Sequence, residues 1–207
     1  LAVSSPADTG LQGGEYCAIY WGPELPGDQR RDDGLSLTFD APPLDAPLDI
    51  VGGTLVRLRV KADKPVAQLA VRLNDVYPDG ASTRITYGVL NLCHRNSHEA
   101  PEMIQAGEWF DVELRLDDIA RRVPAGNRIR LSISNAYWPM VWPSPEQVTL
   151  AIASGEVVLP VRKTATADEW TFAPPQGATD WNVVVERPQG NRRTIEEDVG
   201  SGMVSVV

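Results

Sequence analysis

The chain has 207 residues, 43% hydrophobic and 23% charged, the composition of a soluble protein able to bury roughly 70% of its unfolded surface without covalent staples. Its net charge of −9 speaks against a nucleic-acid partner, whose phosphates need a basic face, and against docking on an anionic membrane. No apolar run reaches the ~18 residues of a membrane span, and two cysteines, Cys17 and Cys93, form neither a disulfide framework nor a zinc site; both are expected as buried free thiols.

In chain order, residues 1–34 read as an irregular lead-in rich in Gly, Pro and Asp, with Tyr16 to Trp21 as a short strand within it. Leu1 starts no signal peptide, and the absence of an initiator Met suggests a processed form or an excised fragment. A strand is expected at Leu35 to Phe39, followed by a loop punctuated by Pro42, Pro43 and Pro47. Val56, Leu58 and Val60 alternate with Arg57 and Arg59, and Leu69, Val71 and Leu73 with Ala70, Arg72 and Asn74, the period of strands with one buried face. Pro78-Asp79-Gly80 supplies turn chemistry, and Ile85, Tyr87 and Val89 resume the alternation. Further strands fall at Val112 to Leu116, Ile129 to Ile133, Val148 to Ile152 and Val157 to Val161, with one helical turn expected at Asp117 to Arg122.

Short alternating strands separated by Gly/Pro turns define an all-β antiparallel sandwich whose sheets each keep one wet face. The long connection from His94 to Gly107 favours a jelly roll over a simple meander. Residues 35–162 are taken as the sandwich and 163–207 as a small β appendage. In that appendage, Trp181 to Glu186 and Arg192 to Glu197 suggest a hairpin around Pro188 to Gly190, and Met203 to Val207 a further strand.

Catalytic patterns are sparse. A nucleophile elbow reads Gly-x-Ser-x-Gly between a strand and a helix, and no such pentapeptide occurs; Gly200-Ser201-Gly202 reads as a hairpin turn. His94 and His98 have metal-pair spacing only if helical, and they fall where a strand runs into a loop, so His94 and Arg95 are expected to hydrogen-bond loop carbonyls at a domain face. Asp117-Asp118 and Glu196 to Asp198 lack the dense Asp-x-Asp-x-Asp pattern of a calcium loop. No cofactor is implied. The cluster Tyr137-Trp138-Pro139-Met140-Val141-Trp142 suits packing at a domain interface; sugar stacking by exposed rings is the alternative.

Several segments resemble, in this order, the C-terminal domain of X-Pro dipeptidyl-peptidases and cocaine-esterase-like acyl hydrolases. They are Gly27-Asp-Gln29 with Asp32-Asp33-Gly34, the loop from Pro43 to Gly52, Val71 to Gly80, Tyr87 to Arg95, Ala125 to Leu131 and Ser134 to Pro139. One departure is Asn127, where the family commonly carries His after the turn glycine; the position reads as a turn or interface residue.

The resemblance implies a galactose-binding-like jelly roll that follows an α/β-hydrolase domain in the same polypeptide. It implies that the catalytic Ser, Asp and His lie in that other domain, so no catalytic residue is assigned in this chain. The expected role is accessory: packing on the hydrolase domain and shaping its active-site entrance. Tyr16, Ile19, Trp21, His94, Arg95, Tyr137, Trp138 and Trp142 are the candidate interface residues. Alternatives are a carbohydrate-binding module and a structural domain that makes a homo-oligomer. A cytoplasmic location is expected.

Overall fold

A computed structural model describes residues 1–18, 22, 24–163, 170–179, 182, 184, 186, 190 and 192–207. The chain divides into two units, Leu1–Arg162 and Lys163–Val207.

The first unit is an antiparallel β-sandwich. One sheet is built from β1 (Ala2–Val3), β4 (Leu55–Ala62), β7 (Phe110–Arg115) and β10 (Leu150–Val158), in the order β1-β10-β4-β7. The other has β2 (Leu37–Asp40), β5 (Gln68–Val76), β6 (Ser82–Asn91) and β9 (Arg128–Ser134), in the order β2-β9-β5-β6. A separate pair, β3 (Leu48–Gly52) with β8 (Ile119–Val123), adds two strands. The alternating apolar positions meet between the sheets: Val56, Leu58 and Val60 of β4 and Leu150 and Ile152 of β10 pack in one core with Leu69, Val71 and Leu73 of β5 and Leu131 and Ile133 of β9. Each such buried side chain contributes about 1.5–3 kcal/mol of transfer free energy.

The β5–β6 turn follows its chemistry. Gly80 adopts φ 88°, its N–H donates to the Tyr77 carbonyl at 2.9 Å, and the Asp79 carboxylate accepts from the Ala81 N–H at 3.0 Å. Gly88 serves a different need. A β-carbon there would stand 2.9 Å from Leu116 Cδ2 and 3.3 Å from the Arg115 carbonyl, so its bare backbone lets the β7–β8 connection cross β6.

Several expectations need correction. Asp117 to Arg122 makes no helical turn; Ile119–Val123 is β8, paired with β3 in a stretch expected to be loop. The spacing Ile119/Val123 satisfies both a helix and a strand. The partner decides, because Asp49 lies opposite Arg122 and accepts from its Nε and Nη2 at 2.7 Å. Ser154-Gly155 does not separate two strands: β10 runs through both with a bulge beside Ile152. Cys17 is exposed and Cys93 half-buried, both free, because each sits on a connection rather than an inward strand position. Tyr16 and Cys17 lie in a turn, not a strand, while Ile19, Tyr20 and Trp21 lie outside the described residues.

The largest correction concerns β5. All nine of its residues are buried, so the polar alternates do not face water. The lead-in is the reason. It contains a 3₁₀ turn (Leu11–Gly13) and the short helix α1 (Arg30–Gly34), and it lies over the outer face of the β2-β9-β5-β6 sheet.

The second unit contains a hairpin of β11 (Ile195–Asp198) and β12 (Met203–Val206). It turns at Gly200-Ser201-Gly202, where the Asp198 carboxylate accepts from the Gly200 N–H at 2.9 Å. The hairpin expected around Pro188 to Gly190 rests largely on residues outside the described ones.

Candidate docking surface

Arg72 and Asn74 alternate with the core residues of β5 and therefore point away from the core. Water is excluded there, so each must find partners. Arg72 is fully buried; its Nη2 donates to the Asp32 carbonyl at 3.1 Å and to Ser36 Oγ at 2.6 Å. Its guanidinium lies 3.6 Å from the Asp32 carboxylate and 3.8 Å from that of Asp33. Asp33 Oδ1 accepts from Asn74 at 2.9 Å and Ser132 at 2.6 Å, and its Oδ2 from Ser82 at 2.8 Å and Arg130 at 3.1 Å. Burial pushes the Asp32 carboxyl up, against the N–H groups of Gly10 and Gln12 and the charge of Arg72. Every oxygen of the two carboxylates is engaged, so the cluster clamps the lead-in to the sheet.

The aromatic cluster splits into two parts. Tyr137 is fully buried beside this network: its hydroxyl is paired with Arg84, its ring centroid is 5.6 Å from that of Tyr87, and the Arg72 guanidinium carbon is 5.6 Å from it. Desolvation raises the Tyr137 phenol above its ordinary range, opposed by Arg84 and Arg72. Gly10 approaches so closely that a β-carbon there would meet the Trp138 carbonyl at 2.6 Å, and its φ of 113° requires glycine. Beyond a cis Trp138–Pro139 bond the chain turns outward. Trp138 and Trp142 have ring centroids 4.9 Å apart, and Trp142 is 80% exposed. Its carbonyl accepts from Gln68 Nε2 at 2.8 Å, which anchors the loop to the sheet.

Of the other candidates, Tyr16 is 82% exposed, and Ile19 and Trp21 lie outside the described residues. His94 ends a 3₁₀ turn (Leu92–His94) and its ring is 5.5 Å from that of His98. Arg95 Nη1 donates to the carbonyls of Leu92 and Glu102 at 3.1 and 2.9 Å, closing the loop between β6 and β7. Gln68 lies opposite Asn91 in the ladder, so this turn and the Trp142 loop share one end of the sheet. The structure therefore groups Tyr137, Trp138 and Trp142, with His94 and Arg95 at the same sheet end.

Sequence reasoning missed Asp32, Asp33, Arg72, Asn74 and Arg130 as a unit. The one signal was an Asp-Asp pair ahead of a strand set carrying Arg and Asn on its polar side. Among the described residues, no group of three His, Cys, Asp or Glu side chains could hold a metal ion, and no helix is long and apolar enough to cross a membrane.

A sandwich clamped by its own lead-in through a buried ion-pair network, with one tryptophan half-buried and its neighbour exposed, defines a β-sandwich module. The chain belongs to the family of the X-Pro dipeptidyl-peptidase C-terminal non-catalytic domain, which matches residues 4–185. It is 28% identical over 138 residues to the cocaine esterase of Rhodococcus sp. (strain MB1 Bresler), covering 65% of this chain and 24% of that protein. An α-amino acid ester hydrolase structure superposes with a TM-score of 0.70 at 19% identity, over 78% of this chain and 32% of its own. An aminopeptidase from a Thaumarchaeota archaeon does so with a TM-score of 0.66 at 17% identity, over 79% and 33%. The chain thus spans about a quarter of the curated relative and a third of each structure.

Proposed function

We propose that this chain is the accessory β-sandwich of a serine hydrolase of the X-Pro dipeptidyl-peptidase or cocaine-esterase kind. It packs on an α/β-hydrolase domain of the same polypeptide and narrows the entrance to its active site. The family match over residues 4–185 carries this reading, because that family is described as a non-catalytic C-terminal domain. The Trp138–Trp142 pair supports it: a large ring left 80% exposed, on a loop whose Trp142 carbonyl is tied to Gln68 of the sheet, is a preformed contact anchor. Specificity and chemistry then belong to the hydrolase domain, and this domain contributes surface.

Labelling with a fluorophosphonate tests it. The isolated chain stays unlabelled, while the native longer polypeptide labels at one serine outside this chain. Stoichiometric labelling of the isolated chain, or a native polypeptide without a hydrolase domain, overturns the reading. Quenching of tryptophan fluorescence by a glycan panel would favour sugar binding instead.

A further inference from the structure

The sandwich has an unfilled place. Between the two sheets, at the side where β10 faces β2, opens an apolar cavity of about 470 Å³. Its walls include Leu58, Leu73, Leu131, Ile133, Ile152 and Val157, mostly core positions of both sheets. Val157 lies opposite Val56 in the ladder and so faces inward, yet it is 36% exposed, and the next residue, Val158, is 42% exposed. A fully packed sandwich would bury the inward one.

The backbone tells the same story. Leu1 and Ile152 exchange two hydrogen bonds, the Ile152 N–H to the Leu1 carbonyl at 2.8 Å and the Leu1 nitrogen to the Ile152 carbonyl at 3.0 Å. The ladder is antiparallel, with Ala2 opposite Ala151 and Val3 opposite Leu150. Continued backwards, the chain would run along Ala153 to Val158. Among the described residues, that stretch of β10 has ladder partners only on its β4 side. Leu1 itself lines the cavity.

We propose that the residues immediately preceding Leu1 in the full polypeptide extend β1 along the edge of β10 that has no ladder partner among the described residues, and fill this cavity with their inward side chains. The cavity is about three times the ~150 Å³ that holds a benzene molecule. Three inward side chains at alternate positions need five or six residues of strand, which matches the free length of β10. The segment is therefore a short strand with apolar residues at alternate positions. Its main chain completes the edge hydrogen bonds, and its side chains complete the core. This rests on the reading that more of one polypeptide precedes Leu1, but not on that part being a hydrolase.

The test compares the chain starting at Leu1 with the native polypeptide and with a version extended upstream by about ten native residues. Hydrogen exchange is followed in the peptide covering Ser154 to Val158, and anilinonaphthalene sulfonate fluorescence reports the open cavity. The extension is expected to slow exchange there by roughly tenfold or more and to abolish most dye binding. Unchanged exchange and dye binding in both longer forms overturn the proposal, even if the native polypeptide labels with fluorophosphonate. A native polypeptide that starts at Leu1 also overturns it. Protection that appears only as sedimentation shows dimers assigns the cavity to a second copy and overturns it too. Protection in the extended chain alongside an unlabelled native polypeptide upholds the strand and sinks only the hydrolase reading.

Discussion

Asn127 donates its amide to the carboxylate of Asp75 at 2.7 Å, with both residues buried. Asp75 belongs to β5, and Asn127 follows the turn glycine that leads into β9. The bond therefore ties a strand to the turn that starts its neighbour. Arg121 of β8 completes the arrangement, donating to the second oxygen of Asp75 at 3.0 Å.

Asn127→Ala leaves one oxygen of a buried carboxylate short of a donor. The expected cost is about 1–3 kcal/mol, read as a lower urea midpoint with unchanged slope. Asn127→His keeps a nitrogen donor toward Asp75 and loses less than the alanine variant.

Arg72→Ala strands two buried carboxylates, Asp32 and Asp33, against the sheet. Breaking such a set from one side costs about 3–5 kcal/mol. Combining Arg72→Met with Asp32→Asn costs less than the sum of the two single changes, because each removes the charge that the other leaves uncompensated. Chemical denaturation of the four proteins in the cycle measures the difference.

The Arg130 guanidinium, bound to Asp40 at 2.6 and 2.8 Å, holds that carboxyl below its ordinary value of 3.8. The unfolded chain then binds more protons than the native one. This contribution is present above pH ~4 and is lost as pH falls through the lowered folded value. Asp32 acts with the opposite sign. Its raised carboxyl makes the native chain bind more protons, so its contribution falls as pH rises from about 4 through the folded value. Thermal melts between pH 2.5 and 6 should show a shallower acid limb for Asp40→Asn and a steeper one for Asp32→Asn.

Gly88→Ala forces a methyl group against Leu116 and the Arg115 carbonyl. Overpacking of this kind costs about 1–3 kcal/mol. The change should lower the melting temperature while leaving the far-ultraviolet spectrum of the sandwich unchanged. An unaltered melt would mean that the β7–β8 connection yields freely.

Trp142→Ala should leave the isolated chain within ~0.5 kcal/mol of its parent, as expected for an exposed side chain. In the native longer polypeptide the same change should lower the melting temperature measurably. Equal behaviour in both forms would remove Trp142 from the proposed docking surface.

Strands β4, β5, β7 and β9 were legible in the sequence because their apolar alternates meet the core. Leu69, Val71 and Leu73, or Ile129, Leu131 and Ile133, repeat with the period of an extended chain, and that period has one structural meaning. Tyr137, Trp138 and Trp142 were legible as an aromatic cluster, but their division into a buried Tyr137, a half-buried Trp138 and an exposed Trp142 was not. Neighbouring positions share one composition, and the turn after Tyr137 separates them. The spacing of Ile119 and Val123 was ambiguous by itself, and only pairing with β3 resolved it.

The sequence by itself determined an all-β antiparallel sandwich, its main strands and the Pro78-Asp79-Gly80 turn, because alternation and turn chemistry are local properties. Tertiary structure alone decided what lies over the polar side of β5. Arg72 and Asn74 read as solvent-facing residues on their own strand. Their burial depends on Asp32 and Asp33, some forty positions earlier. A buried charge is tolerable only with its partners in place, and no local pattern in either segment specifies where those partners will be.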